Sequence, residues 1–326
     1  LTFRIRNHYI LSFIQIIIHY AEILMSHSAD SVKSIFFALG ANLAIAVAKF
    51  AAAIFTGSGA MMAEAIHSAA DSGNQLLLLL GLKQAKKPPS ADYPLGHGKE
   101  VYFWSFIVAL ILFSMGGLFS IYEGIHKLQH PHELNAPYVA IVVLLFSIVA
   151  EGISLWGCLR EVNKERRGRS LRQWFKETRQ SELLVVFGED SAALLGLSFA
   201  LLAVFLSMLT GNPAYDAAGS IGIGILLVVI AIFIGFEVKA LLVGQGVEPA
   251  IKEKMVAFLQ ERNEIDRVYN LLTLQLGNDV MVAVKAKMVA IDSTNSLIQA
   301  INRTEAAMRQ AFPEILWLFF EPDVDD

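Results

Sequence analysis

Six long apolar runs alternate with polar connections along the chain as far as residue 243. They lie near residues 34–56, 60–82, 101–124, 136–159, 182–210 and 217–243. Each is long enough to cross a hydrocarbon layer as a helix, which takes about 20 residues. Only Thr56-Gly57-Ser58-Gly59 joins the first two, so they are expected to form an antiparallel hairpin. Beyond Leu242 the pattern shortens. Ile251, Met255, Phe258 and Leu259 have helical spacing within 249–262. Residues 267–276 and 280–289 are rich in β-formers around a turn at Gly277-Asn278-Asp279. A second amphipathic helix over 293–311 and a short strand over 315–320 complete an α-β-β-α-β order. One helical layer on a three-stranded sheet is the natural packing for that order. The expected fold is therefore an α-helical membrane protein. Six transmembrane helices (34–243) precede a small α+β cytoplasmic domain (244–326).

Residues 1–33 form an N-terminal segment of a different kind. The apolar run 10–18 is too short to span easily, and no small-residue cleavage site follows it. Met25 precedes a polar stretch suited to an N-terminus and is the expected working start.

Composition supports the membrane assignment. Of 326 residues, 55% are hydrophobic and 17% charged, against roughly a quarter charged in soluble domains. The net charge of −4 and the lack of a basic stripe give no footprint for nucleic acid. The single cysteine, Cys158, excludes a disulfide within the chain and is expected to be packed or lipid-facing. Basic residues cluster in two connections. Lys83, Lys86, Lys87 and Lys99 follow the second span, and Arg160 to Arg179 follow the fourth. The opposite connections carry almost none, apart from Lys127. Basic connections stay in the cytoplasm, so both termini are expected there.

Candidate chemistry lies inside the spans, where ionisable groups are expensive and mark function. Glu64, His67 and Asp71 share one face of the second span, and Asn74 continues the stripe. His67 and Asp71, one turn apart, can bind one ion. Imidazole and carboxylate donors suit Zn²⁺, and also Mn²⁺, Fe²⁺ or Co²⁺. The fifth span offers Glu189 and Asp190. Neighbours on a helix point about 100° apart, so one of the two is expected to face the second span. A site gathering His67, Asp71 and Asp190 at mid-membrane depth follows, with Glu189 and Glu64 as further donors. The competing reading is interhelical hydrogen bonds or buried ion pairs, with Lys49 neutralising one carboxylate. Too few cations lie in the spans to pair them all. A metalloprotease would need His-Glu-x-x-His. Glu64-Ala65-Ile66-His67 reverses that order, so no enzyme is expected. A non-transporting sensor or scaffold acting through the tail has no need of these residues.

With these residues the chain resembles the cation diffusion facilitators, divalent metal/proton antiporters. The resemblance rests on the pair His67 and Asp71, on the stretch from Tyr93 to Glu100 with its Gly96-His97-Gly98-Lys99 core, on the six spans and on the tail. Gly188-Glu189-Asp190-Ser191-Ala192-Ala193 is similar to the branch holding the mitochondrial zinc transporter of animals and bacterial relatives. The resemblance implies a homodimer in a bilayer, here expected to be a bacterial inner membrane. Each protomer would export metal by alternating access, with Zn²⁺ as cargo and no resident cofactor. Common zinc carriers place His or Asp four residues before the fifth-span aspartate. Here Val186 stands there, which leaves the fourth ligand to Glu189, Glu64 or water. Of the second metal site that many members carry before the third span, only His97 remains, with Asp92 nearby. The tail lacks histidine, so a binuclear site there is not expected. His126, His130 and His132 are read as a solvated loop, Tyr102 and Trp104 as interface anchors, and Lys99 as a contact between the connection and the tail.

Overall fold

The computed structural model describes residues 31–290 and 293–325. The expectations for Met25 and the preceding apolar run lie outside the described residues. Six long helices are present: α1 (Ser31–Thr56), α2 (Gly59–Ala85), α3 (Glu100–Gln129), α4 (Pro137–Glu165), α6 (Ser181–Thr210) and α7 (Ala214–Val243). By length and composition, α3, α4, α6 and α7 can each cross a membrane. The apolar stretch of α1, Asn42–Thr56, is shorter. In α2 the stripe Glu64, His67, Asp71 and Asn74 interrupts the apolar surface.

The helices pack through small and branched residues. Ala60, Met61, Val108, Leu112, Leu144, Leu197, Ile223, Leu227 and Ile234 form one continuous core. Gly196 on α6 lies where a Cβ would overlap the Glu64 carboxylate, so a glycine there lets α6 close on α2. Residues Leu112–Leu118 of α3 form a π-helical turn. Such turns shift the side-chain register and often accompany functional sites.

The basic connection after α4 contains an element the apolar pattern does not foretell, α5 (Leu171–Glu177). Ser170 caps it by accepting from Gln173 N–H. Its Trp174 is fully buried, edge-on to Phe187 with centroids 5.7 Å apart, beside Cys158 and Val162.

The tail has the expected order: α8 (Pro249–Gln260), β1 (Ile265–Leu276), β2 (Asp279–Met288), α9 (Thr294–Ala311) and β3 (Ile315–Pro322). β2 is central, antiparallel to β1 and parallel to β3. Val280, Val282, Val284 and Ala286 alternate into a core with Met255, Leu259, Met308 and Leu318. This is the period-2 burial of a sheet covered on one face. The β1–β2 turn needs Gly277, whose φ is 70°.

That turn docks on the membrane domain. The Tyr102 hydroxyl accepts from Gly277 N–H at 3.1 Å, and Gly98 lies against the Leu276 carbonyl with no room for a Cβ. Tyr102 is thus wholly buried rather than an interface anchor. Its ring packs into the core of the helical domain, and its hydroxyl reaches the tail. Lys99 donates to the Leu242 carbonyl at 3.3 Å, so it braces the end of α7. Arg169 and Arg179 reach the same linker through Glu248 (3.0 Å) and the Gly246 carbonyl (2.6 Å).

Candidate metal centre

The α2 stripe is the starting point. Ser58 caps α2 by accepting from Met61 N–H at 3.1 Å, and the helix then runs unbroken through the membrane core. His67 is fully buried, and its Nε2 lies 3.5 Å from Asp71 Oδ2. Neither ring nitrogen has a hydrogen-bond partner, nor does Asp71 Oδ1. Leaving one buried polar group unsatisfied costs about 1–3 kcal/mol. The fold therefore holds His67 and Asp71 at a standing penalty. A Cβ at Gly116, in the π turn of α3, would lie 3.8 Å from His67 Nδ1. The irregular turn is thus the neighbour of the imidazole.

The two carboxylates of α6 diverge, as adjacent helical positions must. Glu189 accepts from the Asn74 amide at 2.5 Å and so faces α2. Asp190 accepts from the Ser154 hydroxyl of α4 at 3.1 Å. Asp71, Glu189 and Asp190 nevertheless line one small cleft of about 30 Å³, with Asn42, Ser68, Gln75, Glu151 and Ser154. A space of that size exceeds what one water molecule needs. Val186 lines it too, on the side where the resemblance places a ligand.

Glu64 has a different setting. Its Oε2 is 3.5 Å from Lys49 Nζ, and both side chains are fully buried. Lys49 also donates to Ser68 Oγ at 2.6 Å and comes within 4.0 Å of Glu151. Lys49 therefore neutralises Glu64 in this conformation, and Glu64 does not line the cleft.

Among the described residues, no group of three or more His, Cys, Asp or Glu side chains is gathered tightly enough to hold a metal ion. Asp71, Glu189 and Asp190 each reach the cleft from a pair: Asp71 with His67 behind it, Glu189 with Asn74, and Asp190 with Ser154. Glu151 was not foreseen from the sequence, although an acidic residue inside an apolar run is the same signal that singles out Glu64. His126 lies in the last turn of α3 and His130 just past its end, with ring centroids 4.8 Å apart. His97 stacks on Tyr93 at 4.3 Å.

Several long apolar helices with ionisable side chains buried between them define a multi-pass membrane protein, and such buried groups mark a candidate functional site. The family model of the cation efflux transmembrane domain matches residues 35–243, and the chain belongs to that family, the cation diffusion facilitators. It is 34% identical over 231 residues to the mitochondrial proton-coupled zinc antiporter SLC30A9 of Xenopus laevis, covering 70% of this chain and 41% of that protein. Metal tolerance protein C4 of Arabidopsis thaliana is 32% identical over 258 residues, covering 78% of this chain and 56% of that protein. The cation-efflux pump FieF of Escherichia fergusonii is 24% identical over 262 residues, 79% of this chain and 81% of that protein. The chain thus spans less than half the length of the zinc antiporters it matches.

Proposed function

We propose that the chain exports a divalent metal cation, Zn²⁺ foremost, in exchange for protons by alternating access. The observation that carries this reading is His67. A fully buried imidazole with both nitrogens unpartnered, one turn from Asp71, is a donor pair awaiting an ion. Similarity to proteins named as zinc antiporters supports the choice of metal, and mixed nitrogen and oxygen donors fit it. They also fit Mn²⁺, Fe²⁺ and Co²⁺, the alternative cargoes.

In this reading the metal arrives from the side of the basic connections, which is the cytoplasm, where both termini lie. Gln75, Ser154 and Val186 line the cleft on that side of Asp71, Glu151 and Asp190 in sequence, and Glu64 packs against Gly196 on the other. Metal binding needs an unprotonated imidazole and ionised carboxylates, so it releases protons. When the helices rock outward, returning protons displace the metal. In this reading those protons return to the groups that released the metal, His67, Asp71 and Asp190. Exchanging one dication for one proton moves one net charge, worth about 2.3 kcal/mol per 100 mV. A pH gradient must then supply part of the drive. The family resemblance supports a homodimer as the working unit in this reading. The membrane is a bacterial inner membrane or, as the name of SLC30A9 indicates for that relative, a mitochondrial one.

Reconstitution in sealed liposomes, with a metal-sensitive dye inside and an imposed pH gradient, tests the reading. Gradient-dependent uptake lost in His67→Ala, Asp71→Ala and Asp190→Ala is the expected result. A wild type that moves none of the four metals, or variants that transport as well as it does, would refute it.

A further inference from the structure

Glu151 occupies the midpoint of α4, the helix Pro137–Glu165. A carboxylate at that depth is costly, by about 2.5–3.5 kcal/mol on insertion scales, and needs a reason. Its nearest cation gives a weak one. Lys49 Nζ is 4.0 Å from Glu151 Oε1, beyond hydrogen-bond length, while the same ammonium is engaged by Ser68 at 2.6 Å and Glu64 at 3.5 Å. A carboxylate kept only as a counter-ion for Lys49 would sit where Ser68 sits. Glu151 is instead 18% exposed and lines the cleft with Asp71, Glu189 and Asp190. One turn further along α4, Ser154 enters the same cleft and donates to Asp190. Positions i and i+3 share a helix face, so α4 presents a donor pair to the cleft as α2 does with Ser68 and Asp71.

We propose that Glu151 is a coordinating arm for the transported metal, supplied by α4. It provides the donor that Val186, on α6, does not, so the site is built on three helices. The proposal rests on the metal-site reading given above. A second observation supports it: in the cleft Asp71 Oδ1 is buried without a hydrogen-bond partner, and behind Asp71 the wholly buried, unpartnered His67 ring lies with Nε2 3.5 Å from Asp71 Oδ2. The donor set then has one nitrogen among several oxygens. Ser154 orients Asp190, and Lys49 limits the negative charge behind the cleft without entering it.

Zn²⁺ and Co²⁺ binding to the purified full chain in detergent separates the possibilities. Affinity is measured by calorimetry, and the visible absorption of bound Co²⁺ reports the ligand set. Glu151→Gln is expected to weaken Zn²⁺ binding at least tenfold and to change the Co²⁺ spectrum. Glu151→Asp keeps the charge facing Lys49 but withdraws the oxygens by one methylene. It is expected to fold like the wild type and still alter the spectrum. If both variants match the wild type while Asp71→Ala loses binding, Glu151 is only a counter-ion and the inference is overturned. If Asp71→Ala also matches the wild type, or the wild type binds neither metal, the metal-site reading itself has failed.

Discussion

Two buried acidic sites lie on α2 and the helices around it, and they are built in opposite ways. At the turn between α1 and α2, Asp216 from the start of α7 is 1% exposed and fully partnered. It accepts from Ser58 Oγ at 2.5 Å, from Gly59 N–H at 2.6 Å and from Ala60 N–H at 3.4 Å. Lys127 lies 4.0 Å away and also bonds the Gly57 carbonyl. A carboxylate at a helix N-terminus, holding free N–H groups, is a structural clamp. Two to four turns further along α2, His67, Asp71 and Asn74 each leave a buried polar atom without a partner. Burial of charge is common to both places. The acidic group itself is satisfied at the first and not at the second, which is the difference expected between a joint kept for the fold and the proposed ion site.

The sharpest way to break this contrast is to remove the carboxylate at each place. Asp71→Ala is expected to lower metal transport at least 100-fold in liposomes while leaving the thermal unfolding midpoint in detergent unchanged or raised, since a costly group has gone. Asp216→Ala should do the reverse to the fold and lower stability by about 3 kcal/mol, because Lys127 and the α2 N–H groups lose their partner. Thermal unfolding of the two variants side by side decides the matter. Equal destabilisation would erase the distinction.

A smaller effect is expected at the docking surface between the domains. In Gly98→Ala the new methyl would meet the Leu276 carbonyl, and overpacking of this kind costs about 1–3 kcal/mol. Amide exchange of the β1–β2 turn should rise while the α2 core stays protected. Ser58→Ala removes both a helix cap and a donor to Asp216, for a loss of about 1 kcal/mol in the unfolding midpoint measurement. A change of similar size is expected for Tyr102→Phe, which removes two hydrogen bonds with Gly277, at 3.1 and 3.4 Å, each worth about 0.5–1.5 kcal/mol at most.

The six spans and the order of the tail were legible because apolar runs and period-2 alternation are direct consequences of burial. The turn at Gly277 was legible for similarly local reasons. Helix α5 was not, because Leu171–Glu177 is short and strongly charged. Its one buried anchor, Trp174, is defined by contact with Phe187 on another helix. The stripe on α2 was visible from spacing. Which of Glu189 and Asp190 faces α2 was not, since that depends on the rotation of α6 against its neighbours. Lys49 was correctly placed as a partner for one carboxylate, yet only packing could assign it to Glu64. Tyr102 read as an interface anchor because its span begins at a membrane boundary, and sequence alone carries no sign that its ring turns into the helical core beneath the β1–β2 turn. Glu151 was open to the same rule that found His67. It was missed because the rest of its span is so apolar.

The account stands most directly on His67 as a metal ligand. X-ray absorption at the zinc edge, on purified protein loaded with one equivalent of Zn²⁺, reads the ligand set without any transport step. Oxygen and nitrogen donors at about 2.0–2.1 Å, with the outer-shell scattering of one imidazole, are expected. That imidazole signature should disappear in His67→Ala. A spectrum with no imidazole, or one unchanged in His67→Ala, would contradict the account.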